Sequence, residues 1–209
     1  MTSPASSTAT SGTTGIRAAA IPLQLDPART ALVLIDLQAG IVSLVPPAIA
    51  AAVVGNAAQL AQRFRQLGAA VVLVKVAFPT GPAALKPIAD VIPALPPAAP
   101  PGWADPLPAL GSGADDIHIT KRQWGAFYGT DLELQLRRRG IDTLVLGGVA
   151  TDFGVESTAR CAGELGFNQV FAEDAMRALS DEGHRGTVAR VFPRLGRVRS
   201  TAQVLAALN

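Results

Sequence analysis

The sequence predicts a three-layer αβα fold, a Rossmann-like parallel sheet of about six strands with helices on both faces. The first observation is the run Ala31-Leu32-Val33-Leu34-Ile35, which ends at Asp36. Its apolarity is continuous and not alternating, which is typical of a strand buried on both faces, as in parallel sheets. The second observation is that such runs alternate with segments of helical periodicity, which favours right-handed βαβ crossovers.

The elements follow in this order along the chain. The predicted strands are residues 31–36, 70–76, 116–120, 143–146, 169–172 and 196–199, and the predicted helices are 47–67, 130–139, 155–165, 181–192 and 201–208. Gly68 and Gly166 follow two of these helices, where glycine is the favoured terminating residue.

Three features follow predicted strands and would share one edge of the sheet. Asp36 ends the first strand, Lys121 follows the third, and the turn Val149 to Gly154 follows the fourth. Sites in such sheets lie beyond the carboxyl ends of the strands, so this edge is the expected location of the active site. Backbone N–H groups at a strand–turn–helix junction can hold a developing negative charge.

The composition indicates a single globular domain without a nucleic-acid-binding surface. The chain has 209 residues, 49% of them hydrophobic and 16% charged, which fits one α/β domain over residues 22–209. Net charge is only +2, and the cluster Arg137-Arg138-Arg139 ends a predicted helix, where cations complement the helix dipole. We therefore expect no nucleic-acid partner.

The single cysteine and the N-terminal segment bear on the cellular location of the protein. One cysteine allows no internal disulfide, so a cytoplasmic protein is expected, and no apolar run approaches the roughly 20 residues of a membrane helix. Residues 1–16 are rich in Ser, Thr, Ala and Gly and lack the features of a secretory signal. We expect residues 1–21 to be a flexible N-terminal arm.

Residues 78–114 interrupt the pattern with ten prolines. A long irregular stretch inside a compact domain is typical of a functional loop or lid. Its place between two strands, on the carboxyl edge, favours a lid over a linker packed on the surface or on a partner subunit.

The motifs Val33-Leu34-Ile35-Asp36-Leu37-Gln38, Lys121 and Gly148-Val-Ala-Thr-Asp-Phe-Gly154 together resemble the signatures of the isochorismatase-like (cysteine hydrolase) superfamily. The resemblance covers roughly Pro27 to Leu208. The stretches 121–132 and 154–160 are similar to its YecD-type branch.

The resemblance implies a hydrolase with Asp36 and Lys121 as catalytic residues, whereas the usual cysteine position holds Gly154. Amidases of the superfamily need that thiolate to form an acyl-enzyme. Isochorismatases resemble this chain in having glycine there, and they hydrolyse a vinyl ether by protonation and water addition. A carboxyl of raised pKa can supply the proton. Burial would raise the pKa of Asp36 and Lys121 would lower it, and the sequence leaves the balance open.

Further site residues are implied by the same resemblance. A cis peptide is expected at Val149-Ala150, with the N–H groups of Ala150 and Gly154 forming an oxyanion hole. Gln38 and Thr151 are assigned to the substrate pocket, Gln38 as a hydrogen-bonding support for its loop. Three aromatic residues either line the pocket or fill the core: Trp124, Phe127 and Tyr128. Asp152 fits a helix N-cap and Cys161 a small core residue.

Two departures make isochorismate itself a poor candidate substrate. Ala150 stands where isochorismatases typically have tyrosine, and there is no arginine between Arg65 and Arg122.

The histidines His118 and His184 lack ligand-spaced partners, so we expect neither a metal nor a cofactor. The resemblance also implies a homo-oligomer, a dimer or tetramer.

Three functions remain in competition. The first is a small-molecule hydrolase in which Asp36, Lys121 and water cleave a vinyl-ether-type bond. The second is a cysteine-free amidase acting on a small amide. The third is a non-catalytic ligand-binding protein.

Overall fold

A computed structural model describes residues 22–78, 88–91 and 99–208, which form a six-stranded sheet with surrounding helices. The strands are β1 (Thr30–Ile35), β2 (Ala70–Val76), β3 (Ile117–Lys121), β4 (Thr143–Val149), β5 (Asn168–Arg177) and β6 (Arg197–Arg199). Their order is β3-β2-β1-β4-β5-β6, and every adjacent pair is parallel. The predicted fold class is confirmed.

Seven α-helices lie within the described residues. They are α1 (Ala39–Val42), α2 (Pro47–Gln66), α3 (Leu132–Arg138), α4 (Glu156–Glu164), α5 (Asp181–Arg190), α6 (Phe192–Leu195) and α7 (Thr201–Ala207). A 3-10 turn spans Pro108–Leu110, and a π-helical turn spans Thr151–Val155 between β4 and α4. In the part of the chain that the structure describes, no helix is long and apolar enough to traverse a membrane.

Two hydrophobic cores, one on each face of the sheet, explain the continuous apolar strands. Leu32 and Leu34 of β1 point into a core that α2 and α7 cover. Val33 and Ile35 point into a second core, built with residues of α3, α4 and α6. Because successive side chains of a strand face opposite ways, a strand covered on both sides must be apolar throughout.

The order of the strands places the expected crevice at the carboxyl ends of β1 and β4. The chain first builds outward from β1 to β2 and β3, and then returns to the other side of β1 with β4. Connections on either side of this point diverge, which opens a crevice there. The turn that follows β4 therefore lies beside the residue that follows β1.

Several predicted boundaries were wrong for local reasons. The predicted helix 181–192 divides into α5 and α6, because Pro193 lacks the N–H that would continue the hydrogen bonding of α5. Strand β5 continues well beyond the predicted 169–172. Its register against β4 shifts between the pairs Leu146–Phe171 and Gly148–Met176, and the bulged residues include the exposed Glu173 and Asp174.

The described end of the proline-rich segment returns to the chain just after β1. The N–H groups of Ala39 and Gly40 donate to the carbonyls of Asp105 (3.1 Å) and Trp103 (2.9 Å). Residues 79–87 and 92–98 of the expected lid lie outside the described residues, as does the whole expected arm, 1–21. The lid over 78–114 stays a prediction.

Candidate active site

A buried ion pair joins the ends of β1 and β3. Lys121 Nζ lies 2.7 Å from Asp36 Oδ2, and the two residues are 2% and 5% exposed. The same ammonium donates to the carbonyls of Gln123 (3.1 Å) and Trp124 (2.9 Å). Its three N–H groups therefore match three acceptors, which fixes the position of the charge.

Asp36 combines an unusual backbone with an unpaired oxygen. Its φ is 50°, a left-handed value that is uncommon for residues other than glycine, and its N–H donates to the Val74 carbonyl at 2.8 Å. Oδ1 is buried and has no hydrogen-bond partner among the described residues. Burial raises the pKa of Asp36 to about 6 against the opposing charge and hydrogen bond of Lys121.

Gly154, in the turn that follows β4, faces this ion pair. A Cβ atom at Gly154 would lie 3.3 Å from Asp36 Oδ2 and 3.5 Å from Lys121 Nζ. The peptide Val149-Ala150 is cis. In β4, Gly148 has a φ of 127° and lies so close to β1 that a side chain would collide with the Ile35 backbone. Glycine there allows the turn to lie beside Asp36.

One hydroxyl group connects this turn to the loop after β3. Thr158 Oγ1 donates to the carbonyl of Gly154 at 2.7 Å and accepts from the N–H of Ala126 at 3.1 Å. Thr158 is fully buried in α4. Thr158 is not among the residues that the sequence motifs singled out. The available signal was a threonine four residues after Gly154, the spacing at which a helical hydroxyl reaches back to a carbonyl.

Helix α5 contacts the other side of the turn. Thr151 Oγ1 lies 2.9 Å from His184 Nδ1, and Thr187 Oγ1 donates to Glu156 Oε2 at 2.7 Å. Burial, followed by the charge of Arg177, lowers the pKa of His184, so the imidazole is neutral at pH 7. Asp152 caps no helix, contrary to the prediction. It lies within the π-helical turn, and its Oδ1 is buried without a partner among the described residues.

Comparison with known proteins assigns the family. Residues 30–203 match the Isochorismatase domain. The isochorismatase family protein YecD of Escherichia coli O157:H7 is 52% identical over 188 residues, which cover 89% of this chain and all of YecD. The chain belongs to the isochorismatase family. Members of this family are hydrolases, and the chain is therefore a hydrolase.

Solved structures of the isochorismatase family agree with the fold. A family protein from Burkholderia thailandensis superposes with a TM-score of 0.83 at 46% identity, covering 90% of this chain and 99% of its own. The N-carbamoylsarcosine amidase of Thermoplasma acidophilum superposes with a TM-score of 0.67 at 26% identity, covering 83% and 96%.

Two residues assigned to the pocket have structural contacts in this isochorismatase-family chain. The Gln38 amide donates to the Val76 carbonyl at 3.0 Å and accepts from the Val76 N–H at 2.8 Å, so it joins the loop after β1 to the end of β2. Phe127 is buried in the core that α3 and α4 cover, where its ring lies 5.9 Å from that of Phe167. Neither side chain is available to a substrate in this geometry.

The other two aromatic residues are exposed at the carboxyl edge. Trp124 is 61% exposed and Tyr128 79%. The Trp124 ring packs edge-on against Phe153, with ring centroids 4.9 Å apart. Phe153 precedes Gly154 and the Trp124 carbonyl accepts from Lys121 Nζ, so the backbone of both residues adjoins the ion pair. Thr151 is fully buried and held by His184, which makes it a support of the turn.

Proposed function

We propose that this hydrolase cleaves an enol ether, with Asp36 as general acid and water as nucleophile. One observation carries the proposal: a buried carboxyl with a pKa of about 6 faces Gly154, a residue that has no nucleophile. A carboxyl of that pKa holds a proton in a useful fraction of molecules near neutrality. An ordinary surface aspartate, with a pKa near 4, does not.

The proposed reaction begins with the transfer of that proton to the substrate. The Asp36 carboxyl gives its proton to the terminal alkene carbon, and the positive charge develops on the carbon that bears the ether oxygen. Water adds to that carbon and returns a proton to the Asp36 carboxylate. The hemiketal then breaks its bond to the leaving oxygen, which gains a proton, and an alcohol and a carbonyl compound are released.

Lys121 has two roles in this proposal. Its ammonium fixes one oxygen of Asp36, which leaves Oδ1 for the substrate. Its charge also limits the rise in the Asp36 pKa that burial would otherwise cause. The N–H groups of Ala150 and Gly154, with Val149 completing the cis peptide, are proposed to hold an oxygen of the reacting group.

A cysteine-free amidase is the second candidate, because the superposed amidase acts on a carbamoyl amide by its name. In that case Asp36 acts as a base on water. A binding protein without turnover is the third candidate. The ion pair disfavours it, since a protein that only binds has no need of a buried carboxyl with a raised pKa.

The test is a hydrolysis assay with two matched substrate series, vinyl ethers and small amides. We expect the wild type to release the ketone from vinyl ethers, and Asp36→Asn to lose at least 100-fold in kcat. Asp115→Asn, an exposed aspartate near the opposite ends of the strands, is the control for a general effect of losing a carboxylate. Turnover of amides alone would establish the second candidate, and full activity of Asp36→Asn would refute both.

The cellular location, the oligomeric state and the lid of this enzyme are proposals as well. We propose a cytoplasmic, homo-oligomeric enzyme that acts on a small molecule, with residues 78–114 as the lid over its site. The contacts of Trp103 and Asp105 with the loop after Asp36 support the lid, because they join the end of that segment to the site.

A further inference from the structure

The exposed ring of Trp124 is carried by a loop whose backbone contacts the ion pair. Its carbonyl accepts from Lys121 Nζ at 2.9 Å, so the backbone that carries the ring also positions the ammonium. Gln123 fixes the following loop, with its amide donating to the carbonyls of Gly125 (2.9 Å) and Tyr128 (2.5 Å). The ring is therefore carried by a loop that these hydrogen bonds hold in place.

Leaving this ring uncovered is costly in water. Trp124 is 61% exposed and its neighbour Phe153 is 40% exposed, although the pair is in direct contact. Exposed apolar patches on a folded domain mark interaction sites. The backbone that carries this patch adjoins the candidate site, because Phe153 precedes Gly154 and the Trp124 carbonyl accepts from Lys121 Nζ.

We propose that Trp124 is the platform on which the planar, unsaturated part of the substrate lies. Phe153 packs edge-on against the indole and holds it in orientation. The proposal rests on the proposed function, because it names the substrate class of the same site: enol ethers whose carbon skeleton is flat. A flat group can stack with its whole face parallel to an aromatic ring, whereas a puckered ring cannot.

The platform also distinguishes the two candidate reactions. Protonation of an enol ether places positive charge on the substrate carbon, and the face of an indole attracts positive charge. Water attack on an amide instead builds negative charge on oxygen, which an indole face does not stabilise. The Trp124 ring therefore assists the C–O reaction in the step that forms the cation, and assists amide cleavage only by binding.

The first experiment measures binding without turnover. The variant Asp36→Asn/Trp103→Phe leaves Trp124 as the single tryptophan, since the chain has two. Indole fluorescence is titrated with 2-phenoxyacrylate and with 2-(cyclohexyloxy)acrylate, which share the enol ether and differ in ring flatness. We expect the phenoxy compound to quench fluorescence and bind about fivefold more tightly.

The control variant adds Trp124→Leu, which keeps an apolar side chain without a ring. Binding of both compounds by this variant is followed by calorimetry, and the preference for the phenoxy compound should disappear. Equal affinities in the tryptophan-containing variant, or a preference that survives Trp124→Leu, would overturn the proposal. Fluorescence that neither compound changes would also overturn it, since no bound compound would then lie against the indole ring.

These titrations separate the two proposals. Because Asp36→Asn abolishes the proposed general acid, binding to Trp124 is measured whether or not the wild type hydrolyses enol ethers. Failure of the proposed function would appear as binding without wild-type turnover. Failure of the platform would appear as turnover of both acrylates with equal KM.

The second experiment tests whether the Trp124 ring stabilises the positive charge that develops on the substrate carbon. In the Trp103→Phe background, Trp124 is replaced biosynthetically by tryptophans that carry one to four fluorine atoms, which progressively weaken the negative face of the ring. We expect kcat for 2-phenoxyacrylate to fall stepwise, several-fold in all, while KM changes little. A kcat independent of fluorination would contradict the role of the ring in stabilising the cation.

Discussion

The Lys121 ammonium lies 2.7 Å from Asp36 Oδ2 at the carboxyl edge of the sheet, with both side chains buried. Such a pair is expensive to desolvate, and removing one member leaves the other as an isolated buried charge. The pair is therefore poor evidence of a purely stabilising role. Its position opposite Gly154, in the turn at the carboxyl edge of the sheet, is consistent with the chemical role that we propose for it.

The activity should fall with pH above about 6. Asp36 must be protonated to act as an acid, and with a pKa of about 6 only about one-tenth of molecules hold that proton at pH 7. We expect kcat/KM for an enol ether to be level below this pKa and to drop about tenfold per pH unit above it. A kcat/KM that instead rises through pH 6 would assign Asp36 the role of a base.

Lys121→Met should destabilise the protein more at high pH than at low pH. Burial raises the folded pKa of Asp36 above its unfolded value, so the stability that Asp36 contributes is full below pH 4 and is lost as pH rises through 6. Without Lys121 the carboxylate is unpaired, and we expect a loss of about 3–5 kcal/mol at pH 8 and a smaller one at pH 5.

Urea unfolding at both pH values measures this difference. Lys75→Met, which removes a half-buried lysine of β2 outside the pair, is the control and should show little dependence on pH. Equal losses for Lys121→Met at pH 5 and pH 8 would show that Asp36 does not titrate in this range.

Gly154→Cys should create a reactive thiol at the site. A Cβ at this position lies 3.5 Å from Lys121 Nζ, while Ile35 Cγ2, at 3.0 Å, and Asp36 Oδ2, at 3.3 Å, must each move by a few tenths of an ångström. Burial raises the pKa of the natural Cys161 thiol, so iodoacetamide should label the new thiol first. We expect a burst of product from activated amides or esters. Gly154→Ala adds the Cβ without sulfur and should show none.

Thr158→Val should weaken the turn with little change in side-chain volume. The substitution leaves the buried Ala126 N–H and one acceptor position of the Gly154 carbonyl without their hydroxyl partner. We expect a loss of about 1–3 kcal/mol in urea unfolding. Thr158→Ser, which keeps the hydroxyl, should recover most of it, and an equal loss for Ser and Val would mean that the methyl group carries the effect.

Thr151 and His184 should be energetically coupled. Their side chains meet at 2.9 Å across the turn and α5. A double-mutant cycle with Thr151→Val and His184→Gln should give a coupling free energy of about 1 kcal/mol in unfolding. Additive losses would show that the contact is not formed in solution.

The fold was largely predictable because its strands are buried on both faces. The runs at Ala31–Ile35 and Thr143–Leu146 need only local composition to be recognised, and strand ends placed Asp36 and Lys121 on one edge. The bulge in β5 was not predictable from that signal. Its Glu173 and Asp174 face solvent and break the apolar run, although the strand continues to Arg177.

The contacts that support the turn after β4 were missed because they join distant parts of the chain. Thr158 contacts Ala126, 32 residues away, and Thr151 contacts His184, 33 residues away. Periodicity reports which side of an element is buried, and it carries no information on which loop meets it. For the same reason the sequence did not separate Phe127, which is core, from Trp124, which is exposed.

The space at Gly154 has a consequence in the genetic code. Two glycine codons differ from the two cysteine codons in their first base alone. Where one of these two codons encodes Gly154, a single nucleotide change would place a thiol beside the Asp36 carboxylate and the Lys121 ammonium, which lie 3.3 Å and 3.5 Å from a Cβ there. With Asp36 and Lys121 acting as proposed, that one change would add a thiol nucleophile to a site that keeps its proposed acid and cation.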